Sequence, residues 1–417
     1  MISATSAMPA EALWASFAGR CILSNALFTL GLLACWRWPR EWPLRRQWLL
    51  LLALAIGVRI FVWPIPVSDD LQRYLWEGRL VRLGISPYAD TADAPQFARL
   101  RDARWEAMNH KDKLTVYPPL AELTFAALGA ITDEPWIYKL AFTLAELAVL
   151  PLLTTLGGRE RLRFVALYAV NPVPVLSFAG EAHFDSLMIL ATVAAVFAWE
   201  RDHRIWAWAL LAIAVQMKVA AVFLAWPFWA QGDARSRRGA FAFAAILIAT
   251  ALPFASSLPN LVRGLTSFST ATSGNGFLHY LLEHLTGSKA LSSGALALLF
   301  GAIVFSVGTK TRPMSRAAMQ IFGAFLLCAS TVTFWYPAWG LPFATLHSCP
   351  PFWVLSTLDV LYFAAWKEQA MSGSWEHPWW AYWALWTPVF ISLAVWLRRY
   401  TSAPPQLDPA PAVQPKQ

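Results

Sequence analysis

Apolar runs close to the ~20 residues that a helix needs to cross a bilayer recur along this chain, at 17–36, 48–65, 136–156, 164–178, 187–199, 240–254, 295–307, 317–333, 340–365 and 379–397. No soluble core can hide that much apolar surface when hydrophobic residues make up 57% of the sequence and charged ones only 14%. A soluble enzyme, a disordered chain and a coiled coil are excluded. So is a transmembrane β-barrel, whose strands are short and alternate in polarity. The net charge of +8 lies in short loops between the runs and nowhere forms a basic patch interleaved with aromatics, so no nucleic-acid partner is expected. The fold class that remains is an all-α polytopic membrane protein.

Loop arginines set the expected orientation, because short cytoplasmic loops carry the excess of Lys and Arg. Arg37, Arg40, Arg45 and Arg46 put the first loop inside, with the N-terminus outside and no cleavable signal peptide expected. The run 48–65 ends at Pro64 and Pro66 on the outer face. A hydrophilic first outer loop, 67–119, follows. In it Leu71, Tyr74, Leu75, Leu80, Val81 and Leu83 recur at helical spacing against charged neighbours, the pattern of an amphipathic helix lying on the membrane surface. The run 121–131 is too short to span and reads as re-entrant or interfacial.

Later crossings return inside to Arg159, Arg161 and Arg163, to Arg201 and Arg204, to Lys310, Arg312 and Arg316, and to Arg398 and Arg399. They bring Glu181, His183, Asp185 and the Trp335-Tyr336-Pro337 turn outside. The run 205–229, with Lys218 near its middle, is either a hairpin that enters and returns or a single span. The total is about 10–12 passes in one domain, 1–401, before a Pro-rich tail, 402–417, expected to be disordered. The 24 tryptophans gather where runs end, as in an aromatic belt. Cys21, Cys35, Cys328 and Cys349 lack metal-ligand or disulfide-framework spacing and read as packing residues.

Polarity is concentrated on the outer side: eleven of the 25 acidic residues lie between Asp69 and Glu134. An ion-coupled transporter would place carboxylates midway along several helices instead. Asp69-Asp70 follows directly on a helix end. Two adjacent carboxylates in a partly dry site cannot both ionise freely, so one can act as a base near neutrality. The pair can also hold a divalent cation, or be an ordinary solvated pair. His183 and Asp185 read either as a polar helix-end turn or as groups that orient a base, a phosphate or a metal. Lys218, inside an apolar run, pairs with an anion or snorkels to the surface. Trp335 and Tyr336 are belt residues by default.

The first outer loop contains Asp69-Asp70-Leu71-Gln72-Arg73-Tyr74, Trp76-Glu77-Gly78, Gly84-Ile85-Ser86-Pro87-Tyr88, Asn109-His110 and Tyr117-Pro118-Pro119-Leu120, in that order. This loop resembles the first outer loop of GT-C-type membrane glycosyltransferases, in particular bacterial polyprenyl-phosphomannose-dependent mannosyltransferases. Asn171-Pro172, His183-x-Asp185, Lys218 and Trp335-Tyr336-Pro337 agree more loosely. The chain departs from the pattern at Glu77, where Asp is frequent, at Ser86 in place of Asn, and at Lys111 in place of Pro.

The resemblance implies a GT-C-like protein of the cytoplasmic (inner) membrane with its site on the periplasmic side. The implied reaction moves a hexose, mannose first, from a polyprenyl-phosphate donor to a hydroxyl of a glycan, glycolipid or protein acceptor, with inversion. The catalytic aspartate falls on Asp70, and Asp69 becomes its neighbour, an acceptor or cation contact. Cationic donors to the leaving phosphate would come from Arg73, His110, Lys111, His183 and Lys218. Further substrate contacts fall on Tyr117, Asp185, Trp335 and Tyr336, with Trp76 and Tyr88 as additional stacking or groove residues. No cofactor is fixed by the resemblance, and a divalent cation at Asp69 and Asp70 is left open. The competing reading is a multi-pass transporter or lipid flippase, which would move substrate without turning over a lipid-linked sugar.

Overall fold

A computed structural model describes residues 10–271, 274–365 and 377–402. Of the tail expected to be disordered, 403–417 lies outside the described residues. Helix accounts for 78% of the structure, and no strand forms among the described residues. The chain is thus the all-α polytopic membrane protein that its composition demands. Pro135–Ala169, Ala234–Phe254, Lys289–Lys310 and Trp379–Arg399 are long and apolar enough to cross a membrane. Their outward surfaces are apolar, with Phe241 and Leu298 each 78% exposed, as suits contact with lipid.

Other apolar stretches are broken, at Gly158, around 172–180, at Lys218 and at Ser348, and these breaks bring polar groups together. Within Pro135–Ala169 the chain bends at Gly158, whose φ of +66° is a conformation glycine adopts without a Cβ penalty. Buried Arg59 shows that the chain doubles back there. Its Nε lies 2.8 Å from Glu146 Oε2 and its Nη1 donates to Ala169 O at 2.8 Å. A charge is tolerated inside a bundle when it is paired in this way.

The run 205–229 is a hairpin. Phe228 lies 5.7 Å from Trp208, ring to ring, whereas a straight helix would separate them by about 30 Å. The flanks also meet, with Arg235 Nη1 3.6 Å from Asp202 Oδ2. The descending helix, Arg204–Met217, ends at Lys218, whose φ of −148° and ψ of 124° are not helical. Lys218 therefore sits at the hairpin's inner tip. The run 340–365 is not a single crossing either. It turns at Ser348 (φ +49°) between Leu341–His347 and Pro350–Leu358, which returns Phe363 to within 4.9 Å of Phe334.

The helix expected in the first outer loop is Asp69–Arg82, with both acids in its first turn and Arg79 and Arg82 in its last, the order that suits the helix dipole. It differs from a simple surface helix because Arg73 and Glu77 are buried along with its apolar face. It packs on Pro119–Ile131 so closely that a Cβ on Gly78 would come within 2.7 Å of the Phe125 backbone. The rest of the loop folds over the helix and supplies partners for the buried charges. Arg73 donates from Nε to Glu77 Oε1, from Nη1 to His110 O and from Nη2 to Lys113 O, each at 2.8 Å. Arg73→Lys keeps the charge but loses this planar fork. Losing one or two charge-assisted bonds is expected to destabilise the protein by about 2 kcal/mol, read as a lower thermal midpoint. An unchanged midpoint would show that the clamp carries no weight.

Candidate active site

Asp70 stands in the first turn of Asp69–Arg82, where the chain leaves the prolines that end helix Leu44–Val62. The backbone N–H of Ser68 donates to Glu181 O at 2.9 Å, which joins this turn to the distant segment carrying His183. Asn109 Nδ2 donates to Asp70 Oδ1 at 2.7 Å. On its other side, Asp70 Oδ2 lies 3.6 Å from His183 Nδ1, and His183 Nε2 lies 3.6 Å from Glu181 Oε2. The imidazole is 1% exposed, and Trp335 stacks on it with ring centroids 3.6 Å apart. Burial favours the neutral ring, but contact with Glu181 and the charges of Glu181, Asp70 and Asp185 outweigh it and raise the His183 pKa. Asp69 is exposed at the helix start, yet packed neighbours remove part of its hydration. That desolvation, then the charge of Asp70, pushes its carboxyl above the ordinary range.

The path to His183 explains its position. Asn171 caps the turn Pro172–Pro174 by accepting from Val173 N at 3.0 Å. A wide π-helical turn, Val175–Gly180, then leads to Ala182, which is fully buried with a φ of +64°. An alanine held in the left-handed region is strained, and such strain persists only where the surroundings fix it. Here it separates Glu181 from His183 and lets the imidazole lie between Glu181 and Asp70.

A second polar group adjoins the first through Phe184. Asp185, fully buried, accepts from Trp339 Nε1 at 2.9 Å and lies 3.2 Å from Lys218 Nζ. The ammonium is 5.0 Å from the centre of the Phe184 ring and 5.7 Å from those of Tyr336 and Trp339. Aromatic faces around a cation in a dry site strengthen its hold there. Asp70 is also within electrostatic reach of Lys218. A hydroxyl at Asp70 would lose its proton to a carboxylate, while an anion nearby would meet Lys218 and the His183 imidazole.

Of the residues singled out in the sequence, Asp69, Asp70, His183, Asp185, Lys218, Trp335 and Tyr336 converge, although they come from four separate segments. The others have partners of their own. Arg73 is committed to the loop clamp. His110 is exposed and contributes its carbonyl to that clamp. Lys111 donates to Glu106 O at 2.7 Å and lies over Trp105. Tyr117 is 7% exposed and packs edge-on against Tyr74, Phe125 and Phe184. Trp76 fills a small core with Phe97 and Met108, and Tyr88, fully buried, donates to Tyr117 O at 2.7 Å. Trp76 thus serves the folded loop's own core, whereas Tyr117 belongs to the main core beside Phe184.

Three residues that matter here received no role from sequence: Asn109, Glu181 and Trp339. Asn109 lay inside a quoted motif, and Glu181 lay beside His183. Trp339 carried no signal at all, because only the turn Tyr336–Trp339 aims its indole at Asp185. Among the described residues no group of three or more His, Cys, Asp and Glu side chains is arranged to hold a metal ion. Asp69 and Asp70 thus make no protein-only cation cradle, and no chemical step is routed through one.

The site thus sets a half-buried cation, Lys218 with its partner Asp185, within electrostatic reach of a carboxylate at the head of the loop helix. The family model described as "alpha-(1->6)-mannopyranosyltransferase, N-terminal domain" matches residues 1–232, more than half of the 417-residue chain. The chain belongs to this mannosyltransferase family. No curated protein and no solved structure matches it.

Proposed function

We propose that the protein transfers mannose from a polyprenyl-phosphate donor to a hydroxyl acceptor on the extracytoplasmic face of the cytoplasmic membrane. Asp70 is the general base, and the anomeric carbon is inverted. The observation that carries this reading is the side-by-side placement of Asp70, held by Asn109 and His183, and the Lys218–Asp185 pair. Asp70 takes the acceptor proton as the oxygen attacks in line with the departing phosphate. The growing negative charge on that phosphate is met by Lys218 and by the His183 imidazole. A polyprenyl phosphate keeps its head group at the membrane surface, so a base at a helix end beside broken membrane helices suits it. The working unit is a single domain. The family match ends at 232, yet Trp335, Tyr336 and Trp339 come from beyond it.

The decisive assay incubates purified protein with a panel of radiolabelled polyprenyl-phosphate sugars and follows loss of label from the lipid. Transfer from the mannosyl donor above the others supports the proposal, and no transfer from any of them ends it. The orientation is tested separately by cysteine accessibility. Arg45, Arg237 and Arg312 are expected on the cytoplasmic side and Asp70, His183 and Tyr336 on the opposite one. Labelling of positions 45 and 70 from one side would overturn both the topology and the side assigned to the site.

A further inference from the structure

A cavity of about 500 Å³ opens between helices Phe277–Thr286, Lys289–Lys310 and Met314–Cys328 and the turn Val219–Leu224. That volume is within the usual range for a small-molecule site. Its two ends differ in chemistry. At one end stand Lys289, His279 and Ser293. His279 is 2% exposed, with Nε2 2.9 Å from Ser293 Oγ and Nδ1 3.5 Å from Glu283 Oε2. Glu283 is thus directed to the imidazole, and among the described residues no carboxylate pairs with Lys289. The other end is walled by Phe223, Leu296 and Phe300. The helix beginning at Lys289 turns an apolar face outward, with Leu291 65% and Leu298 78% exposed, so the cavity opens where lipid surrounds the protein.

This arrangement of one cation, a hydroxyl and an apolar trough matches a phosphate head group with a hydrocarbon chain below it. It is also separate from the cluster at Asp70. Phe325, on the cavity wall, packs 5.4 Å from Trp339 and 6.2 Å from Tyr336. Those two rings also lie 5.7 Å from Lys218 Nζ, so they touch both the cavity wall and the cluster. A phosphate at Lys289 would lie behind that aromatic wall, on the far side from the base.

We propose that the cavity binds one anionic phospholipid of the surrounding bilayer, with its phosphate at Lys289 and Ser293 and an acyl chain along Phe223, Leu296 and Phe300. The bound lipid packs against the back of the Phe325–Trp339–Tyr336 wall and steadies the rings that flank Lys218. Binding is read without any sugar transfer, so the proposal stands or falls independently of the assigned reaction.

The test competes phosphatidylglycerol against phosphatidylcholine on the purified full chain and counts retained lipid by native mass spectrometry. The wild type is expected to prefer phosphatidylglycerol about fivefold, the equivalent of the ~1 kcal/mol that one lysine contributes at a lipid surface. Lys289→Ala should abolish the preference while still retaining lipid. Ala297→Trp, at an exposed position on the cavity wall, should fill the trough and remove retained lipid of both kinds. Added polyprenyl phosphate should not displace the phosphatidylglycerol. Equal retention of the two phospholipids by the wild type overturns the proposal, as does displacement by polyprenyl phosphate, and these outcomes decide it even if a variant fails to fold. A preference that survives Lys289→Ala in folded protein overturns it as well.

Discussion

Asp70→Asn is expected to lower turnover by at least about a hundredfold while donor binding changes little. The amide keeps the size of the carboxyl, and its oxygen can still accept from Asn109 Nδ2, which now donates to Asp70 Oδ1 at 2.7 Å. What it loses is the capacity to take a proton. Stability should barely move, because the Asp70 side chain is 21% exposed and the amide keeps the hydrogen bond from Asn109. The thermal midpoint therefore separates a chemical loss from a folding one. Asp69→Asn should cost less, since the Asp69 side chain is exposed whereas Asp70 Oδ2 lies 3.6 Å from His183 Nδ1. The measurement is single-turnover transfer from a radiolabelled donor, alongside a donor-binding titration. Near-normal transfer by Asp70→Asn with none by Asp69→Asn would move the base by one residue. Activity in both folded variants would end the mechanism.

That prediction rests on a residue the sequence singled out, because the acidic pair directly follows a proline-terminated apolar run. The fold class was legible for the same reason: apolar runs of that length admit few structures besides helices in lipid. The hairpins were harder. The run 205–229 has enough apolar residues for one span or for two half-spans, and it takes contacts such as Phe228 on Trp208 and Arg235 on Asp202 to decide. Loop residues were harder to assign. Arg73, His110, Lys111 and Tyr117 match a motif, but a motif does not distinguish a side chain that touches substrate from one that holds the loop in shape. Arg73 does the second, through two backbone carbonyls that no periodicity could point to. Trp339 was invisible because its role depends on a single indole N–H meeting Asp185 across 154 residues of sequence.

Lys218→Ala should have two effects at once, and separating them tests its assignment to the donor phosphate. Asp185 is fully buried, and Lys218 Nζ, 3.2 Å away, is its counter-ion. Removing the ammonium leaves a buried carboxylate with Trp339 Nε1 as its remaining hydrogen-bond donor. The expected cost is about 3 kcal/mol, near the lower end for a broken buried pair because the Lys218 side chain is 20% exposed. The double variant Asp185→Asn with Lys218→Met removes both charges and keeps the volume, so most of the thermal midpoint should return. If Lys218 also holds the donor phosphate, the KM for the donor should stay raised by about tenfold or more in the double variant, because a charge-assisted contact has gone from the bound state. Recovery of KM together with the midpoint would instead make Lys218 only the counter-ion of Asp185. The leaving phosphate would then depend on His183, whose ring is stacked on Trp335 and lies between two carboxylates.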